Sequence, residues 1–386
     1  MTAEMTPVER VRTTLNHEEP DRVPTALWGG PYGVVDEVYF KLLKEFQLGE
    51  PLPPFRRGHT ISYIDDRVLG KLGTDTRYVW PGDSPSSPNR PTSAPGRFLD
   101  GYGQTWEYHA PYYFVTEPLL ADAATDDIKA RVSWPDVNEE RWTAGVRERA
   151  QALKEGSNYY VIARMVTSHG PYMTASNLRG TEQFFIDMGE NPEFVLALVE
   201  RVTDIQVAFL KNYLSAGGRY FDMVELPGDD YATSAGMAFS PRMFRQYFKP
   251  SLRRLVETVK NYRPDLKVMA HCDGALQPIL PDLIEIGVDA VHPLEPLPKL
   301  DPGAEKKMYG DRLAFLGAID IVQALPSTVE NVVREVKTRL RQLAPGGGYI
   351  LAPANHVQAD VPVENLVALY QAARDFGSYP INLPEE

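Results

Sequence analysis

From residue 158 onward the chain alternates short apolar runs with amphipathic stretches of helical length. The runs fall at 159–165, 220–225, 267–271, 289–292, 313–318 and 349–352, and each has the length of a buried strand. Between them a helical period appears over 192–216, 241–262 and 328–343. Strand-helix alternation predicts a parallel sheet with both faces covered by helices. Two earlier runs, at 23–28 and 77–80, bring the strands to eight, the number that closes into a (β/α)8 barrel.

Ahead of the first run, Thr6, Pro7 and Glu9 have the spacing of a capping box with proline at the first helical position, so a helix is expected to run to about residue 17. The stretch 80–96 carries five prolines after Trp80 and no apolar period. It reads as loop, with a hairpin strand after it at 101–108. The expected architecture is α/β: residues 1–386 as a single TIM barrel, with an N-terminal helical segment and a loop or hairpin insertion over the mouth at about 80–115.

Composition narrows the function. The 386 residues carry 40 Lys+Arg against 52 Asp+Glu, a formal charge of −12. With no Lys/Arg-rich run, this argues against a nucleic-acid partner. No apolar run approaches the ~20 residues of a membrane span, and the first residues lack a secretory pattern, so the expectation is a cytoplasmic protein without membrane attachment. The single cysteine, Cys272, rules out a disulfide within the chain and a zinc site built on several thiolates.

A barrel fixes where chemistry should be sought, because active sites lie at the carboxyl ends of the strands. The polar residues there are Arg164, Glu225 with Asp229 and Asp230, His271 with Asp273, His292 with Glu295, Asp320, and Asn355 with His356. In the string His271-Cys-Asp-Gly274, His271 and Asp273 share a face and Cys272 points away. The pair is either half of a metal site or a histidine-carboxylate contact that holds a loop. As a metal site it would draw further ligands from Glu225 and from Asn355 or His356, giving a nitrogen and oxygen donor set for zinc with an open position. Asp229 and Asp230 either cap the next helix or face the mouth, where one would have a raised pKa or bind a cation. Aromatic residues crowd the first third of the chain, and tyrosines in loops over the mouth would suit a flat ring. Trp28, Tyr32, Tyr231 and His292 are the expected substrate-binding residues; Asp229, Asp230 and Arg164 are the expected catalytic ones.

Several strings resemble the uroporphyrinogen decarboxylase superfamily. They are Glu9-Arg-Val-Arg-Thr-Thr-Leu-Asn-His-Glu-Glu-Pro-Asp-Arg-Val-Pro24, the turn Gly228-Asp-Asp-Tyr231, His271-Cys-Asp-Gly274 with the segment 278–290, Tyr309-Gly-Asp-Arg-Leu313 with Gly317-Ala-Ile-Asp320, and the segments 343–353 and 360–365. The resemblance implies a (β/α)8 barrel with one of two chemistries: decarboxylation of a porphyrinogen, or methyl transfer to or from a corrinoid carried by a partner protein. The decarboxylase pattern has an arginine-bearing motif after the first strand, whereas residues 27–34 contain no arginine. The methyltransferase pattern has a zinc motif of His-x-Cys and a later Cys. His271 matches the histidine, Asp273 stands at the first cysteine, and Asn355 with His356 covers the second.

The implied metal ligands are His271, Asp273, Glu225 and His356. Nitrogen and oxygen ligands leave zinc a harder Lewis acid than thiolates do. The expected function is therefore transfer of a methyl group from a small methoxylated compound, aromatic ethers included, to the corrinoid (cobalamin) of a partner protein, with a homodimer as the candidate assembly. Porphyrinogen decarboxylation and a non-catalytic small-ligand barrel are the alternatives.

Overall fold

The computed structural model describes residues 4–27, 33–52, 63–85, 90–109, 112–298 and 300–384. Seven parallel strands pair in chain order: β1 (Thr76–Val79), β2 (Tyr160–Ala163), β3 (Met223–Glu225), β4 (Lys267–His271), β5 (Ala290–His292), β6 (Ala314–Ile319) and β7 (Tyr349–Pro353). Nearly every strand residue is buried, which is why the sequence shows continuous apolar runs there and not alternation.

Residues 23–27 fill the eighth place. Ala26 N–H donates to the Leu351 carbonyl at 3.0 Å, Leu351 N–H to the Pro24 carbonyl at 2.9 Å, and on the other side Asp75 N–H to the Thr25 carbonyl at 2.9 Å. These bonds link β7 to β1 and close the curved sheet, so the expected (β/α)8 barrel is the fold of this chain. Pro24 lacks an N–H, so the closing seam is a set of separate bridges and not a continuous ladder.

Asp75, 1% exposed, staples the seam. Its carboxylate accepts from Thr25 N–H at 2.9 Å, from Arg10 at 2.6 Å and from both terminal nitrogens of Arg22 at 2.9 Å. Arg10 lies on the first helix, Pro7–Leu15, which begins with the expected Thr6/Glu9 capping box.

The helix expected at 241–262 is two, Pro241–Tyr247 and Lys249–Tyr262. Pro250 has no N–H for the carbonyl of Gln246 and its ring crowds that turn, so the chain restarts at Phe248. The stretch read as loop before residue 101 contains strands as well. Arg90–Pro91, Arg97–Leu99, Thr105–His109 and Tyr112–Glu117 form a four-stranded antiparallel sheet. Its turn is held by buried Asp100, which accepts from Tyr102 N–H, Gln104 N–H, the Gln104 amide and the Trp106 indole at 2.9–3.1 Å. Tyr112 of this sheet accepts from Gln358 Nε2 at 2.8 Å, which ties it to the loop after β7.

Candidate functional site

Register places the chemistry. Glu225 of β3 lies opposite Met269 of β4, and His271 opposite His292 of β5. Partners in a parallel ladder and residues two apart share a face, so Glu225, His271 and His292 all turn to the barrel interior. Cys272 turns away; its thiol is buried and donates to the Asp273 carbonyl at 3.4 Å.

Two glycines shape the loops around His271. A β-carbon on Gly228 would stand 2.7 Å from the imidazole Cδ2. Gly274 has φ +87, and a β-carbon there would meet the Thr233 backbone at 2.7 Å. With Ala275 N–H donating to the Thr233 carbonyl at 3.0 Å, this pins the turn after β4 to the short strand pair Ala232–Thr233 and Gly236–Met237.

Nε2 of His271 faces two carboxylates, 3.5 Å from Asp273 Oδ1 and 4.0 Å from Asp230 Oδ1. Ligand atoms of Asp230, His271 and Asp273 all lie within 4.8 Å of one another, the one such grouping of three metal-capable side chains among the described residues. Asp273 is oriented from outside: Asn355 Nδ2 donates to its Oδ2 at 2.6 Å, and its own N–H donates to Asp230 Oδ1 at 3.0 Å. Asp273 Oδ1 is buried and has no hydrogen-bond partner among the described residues.

Glu225, 1% exposed, likewise has both carboxylate oxygens without a hydrogen-bond partner among the described residues. Burial pushes its pKa up to about 7 against the pull of Arg164 and His271. Burial and the nearby Asp230 raise Asp273 in the same direction, and burial with Asp273 raises Glu295, whose Oε2 accepts Gly274 N–H at 3.1 Å. Carboxylates crowded in a poorly solvated mouth repel one another. A cation relieves that repulsion, and the orphaned Asp273 oxygen beside His271 Nε2 fits a divalent metal with nitrogen and oxygen ligands.

The adjacent aspartates have different jobs. Asp229 is 1% exposed and accepts from the N–H groups of Tyr172 and Met173 at 3.0 and 2.8 Å and from the Tyr231 hydroxyl at 2.9 Å. It therefore caps the start of the helix Pro171–Arg179, the first of the two readings of the pair, while burial pushes its pKa up to about 7. Asp230, expected to be catalytic, instead joins the metal-capable group.

Tyr231, expected to bind substrate, is 3% exposed and packs against Phe244 and Phe248 with ring centroids 4.9 and 5.8 Å away. Neither Glu225 nor His356 belongs to the group around His271. The His356 N–H donates to its neighbour's Asn355 Oδ1 at 2.6 Å. His292 carries a contact the sequence did not foretell, with its Nδ1 3.1 Å from Nδ1 of His271. Arg164 is 7% exposed and its N–H donates to the Val79 carbonyl at 2.7 Å. Trp28 and Tyr32 lie outside the described residues.

Sequence reasoning passed over His169, in the loop after β2, whose ring lies nearly parallel to Trp106 of the antiparallel sheet with centroids 6.0 Å apart. Burial lowers its pKa while Asp230 works the other way, so it belongs to the same mouth. The available signal was its place after a barrel strand.

Known proteins resemble the chain in sequence and fold. A methylcobamide:CoM methyltransferase, MtaA, of Methanosarcina barkeri is 27% identical over 224 residues, 58% of this chain and 60% of that protein. A methylated-thiol–coenzyme M methyltransferase of Methanosarcina mazei is 22% identical over 246 residues, 63% of this chain and 62% of that protein. The chain thus spans about three-fifths of the length of these curated relatives. The solved structure of a methyltransferase from Methanosarcina mazei superimposes with a TM-score of 0.62 at 20% identity, covering 97% of this chain and 99% of that one, and so shares the fold. The sequence profile of the uroporphyrinogen decarboxylase (URO-D) family matches residues 115–376, a span that runs from the antiparallel sheet through β7 to the last helix, Val363–Phe376, and on that match the chain belongs to the uroporphyrinogen decarboxylase family.

Proposed function

We propose that this protein is a zinc-dependent methyltransferase that moves a methyl group from a small methoxylated compound, with aromatic ethers the first class to try, to a corrinoid carried by a partner protein. The observation that supports this reading is the convergence of His271 Nε2, Asp273 Oδ1 and Asp230 at the mouth of the barrel. The curated relatives, which act on methylcobamide and methylated thiols, support the methyl-transfer branch of the family.

Zinc would be held by Asp230, His271 and Asp273. When bound there it supplies Lewis acidity toward an ether oxygen, harder than a thiolate-ligated ion because its protein ligands are nitrogen and oxygen. The chain's own residues orient and desolvate. Asn355 fixes the rotamer of Asp273. Glu225 offers a buried carboxyl that, with a pKa near 7, is partly protonated at neutral pH and then has an O–H to donate to a polar substrate atom. The nearly parallel Trp106 and His169 rings would offer an aromatic surface to a flat substrate. Holding donor and acceptor in line is the main contribution a protein makes to such a displacement.

Decarboxylation of a porphyrinogen fits less well. Asp230, Asp273, Glu225 and Glu295 surround the same space as Arg164, and a polycarboxylate substrate would meet more negative than positive charge among the described residues. Metal analysis of the purified protein, followed by an assay of methyl transfer from methoxylated aromatics to reduced cobalamin, separates the readings. Stoichiometric zinc that disappears in His271→Ala is expected, together with methylcobalamin formation. Full methyl transfer by a metal-free protein would overturn the zinc assignment, and release of carbon dioxide from a porphyrinogen would favour the other branch.

A further inference from the structure

His271 does not stand alone at the end of β4. Its register partner His292 presents Nδ1 at 3.1 Å from Nδ1 of His271, with the rings 5.3 Å apart and inclined by 23°. On its far side, His292 Nε2 lies 3.4 Å from the Pro353 carbonyl oxygen at the end of β7. A carbonyl oxygen can only accept, so Nε2 of His292 carries the hydrogen. In a neutral imidazole Nδ1 of His292 is then the acceptor, and the hydrogen between the two rings belongs to Nδ1 of His271. That leaves Nε2 of His271 as a bare lone pair, and Nε2 is the atom that faces Asp273 Oδ1 and Asp230 Oδ1.

The opposite polarity fails on the same distances. With the hydrogen on Nδ1 of His292, its Nε2 would turn a lone pair toward the Pro353 carbonyl. Asp273 and Asp230 would favour an N–H on His271 Nε2, but at 3.5 and 4.0 Å neither forms a hydrogen bond with it, so the shorter contact between the rings and the bond to Pro353 decide the tautomer. The accounting applies to neutral rings, and His292 is 1% exposed, where a charged imidazole would be costly.

We propose that His292 is a positioning residue: through its bond to the Pro353 carbonyl it fixes His271 in the Nδ1–H tautomer and aims an unprotonated Nε2 at the carboxylates of Asp230 and Asp273. The role rests on the metal-centre reading for its purpose, but the tautomer itself does not. Partners of this kind on the far nitrogen of a metal-binding histidine change metal affinity by about 10- to 100-fold when removed.

The test uses the purified full chain and two readouts. Nitrogen-15 spectra of the histidine rings in metal-stripped protein, assigned with His271→Gln and His292→Gln variants, report which nitrogen is protonated. The expected result is Nδ1–H on His271 and Nε2–H on His292. Nε2–H on His271 in the native protein overturns the proposal, whether or not any metal binds. The second readout is zinc affinity by competition with a chromophoric chelator. His292→Leu offers no acceptor and should weaken zinc binding about 10- to 100-fold, whereas His292→Asn, whose side-chain oxygen can accept, should recover most of the loss. Equal affinities in native and Leu protein, or equal losses in Leu and Asn, overturn it. If native protein binds no zinc, the metal reading fails and the tautomer result still decides this one.

Discussion

Asn355 Nδ2 donates to Oδ2 of Asp273 at 2.6 Å, and this bond joins the loop after β7 to the loop after β4 across the barrel mouth. It holds Asp273 so that the other oxygen, Oδ1, remains 3.5 Å from His271 Nε2. Asn355→Ala should leave the fold within about 1 kcal/mol of native, because Asp273 is 31% exposed and water can replace the lost donor. The freed carboxylate would lose its fixed rotamer, and zinc affinity should fall by about 10-fold. Chelator competition beside urea denaturation checks both halves, and a stable variant with unchanged zinc affinity would refute the assignment of Asn355 as an orienting group.

The neighbours Asp229 and Asp230 should behave oppositely on mutation. Asp229→Ala strips three donors, the N–H groups of Tyr172 and Met173 and the hydroxyl of Tyr231, of their buried acceptor. A cost of about 3 kcal/mol in unfolding free energy is expected. Asp230→Ala removes a carboxylate that is 36% exposed. Stability should then change by less than about 1 kcal/mol, with metal binding lost. Equal destabilisation by the two substitutions would contradict the division of roles.

That division shows which parts of the molecule the sequence discloses. Strands β1 to β7 are legible because burial on both faces turns each into an unbroken apolar run, and the barrel rule then points to the polar residues at their ends. Which of two adjacent aspartates turns into the mouth is not legible, because it depends on where the helix Pro171–Arg179 starts in space. The same holds for Asn355, which meets Asp273 only because β4 and β7 sit on one closed barrel. The imidazole contact between His271 and His292 depends on register, and nothing local encodes register between strands joined through a helix. Of the antiparallel sheet at 90–117, the strand within 101–108 is legible, but those at 90–99 are hidden by the prolines that flank and enter them, and the organiser, Asp100, looks like any turn aspartate until its four bonds are seen.

Closure of the barrel should depend on Asp75. Its carboxylate bonds to Arg10, to Arg22 and to the N–H of Thr25, so it ties the first helix and the closing segment to β1. Asp75→Ala leaves the buried Arg10 with Asp21 as its remaining carboxylate partner and the Thr25 N–H without an acceptor. A loss of about 3–5 kcal/mol is expected, read from denaturant midpoints at constant slope. Hydrogen exchange should locate the damage, with the amides of Ala26 and Leu351 losing protection first. Unaltered protection at those two amides would show that the seam closes without the staple.

Removal of the metal should make the protein sensitive to rising pH. The pKa of Glu225 is pushed by burial from 4.5 to about 7, and burial raises Asp273 and Glu295 as well. A carboxyl whose folded pKa lies above its unfolded value binds a proton more tightly when folded. Its contribution to stability is complete below the unfolded pKa and is lost as pH rises through the folded one. Metal-free protein should therefore weaken progressively between about pH 4.5 and pH 8, most steeply midway between the unfolded and folded pKa values, at about pH 5.5–6. Glu225→Gln should shrink the difference in unfolding free energy between pH 5 and pH 8 by about 2–3 kcal/mol, even if the amide lowers stability at every pH. Zinc should act in the opposite sense, because ligand carboxylates bind it deprotonated, so that its affinity climbs over the same interval and each binding event releases protons. Urea titrations at four pH values, with chelator and with zinc, distinguish these slopes. A metal-free protein whose stability is flat from pH 5 to pH 8 would remove the electrostatic case for a cation at this mouth.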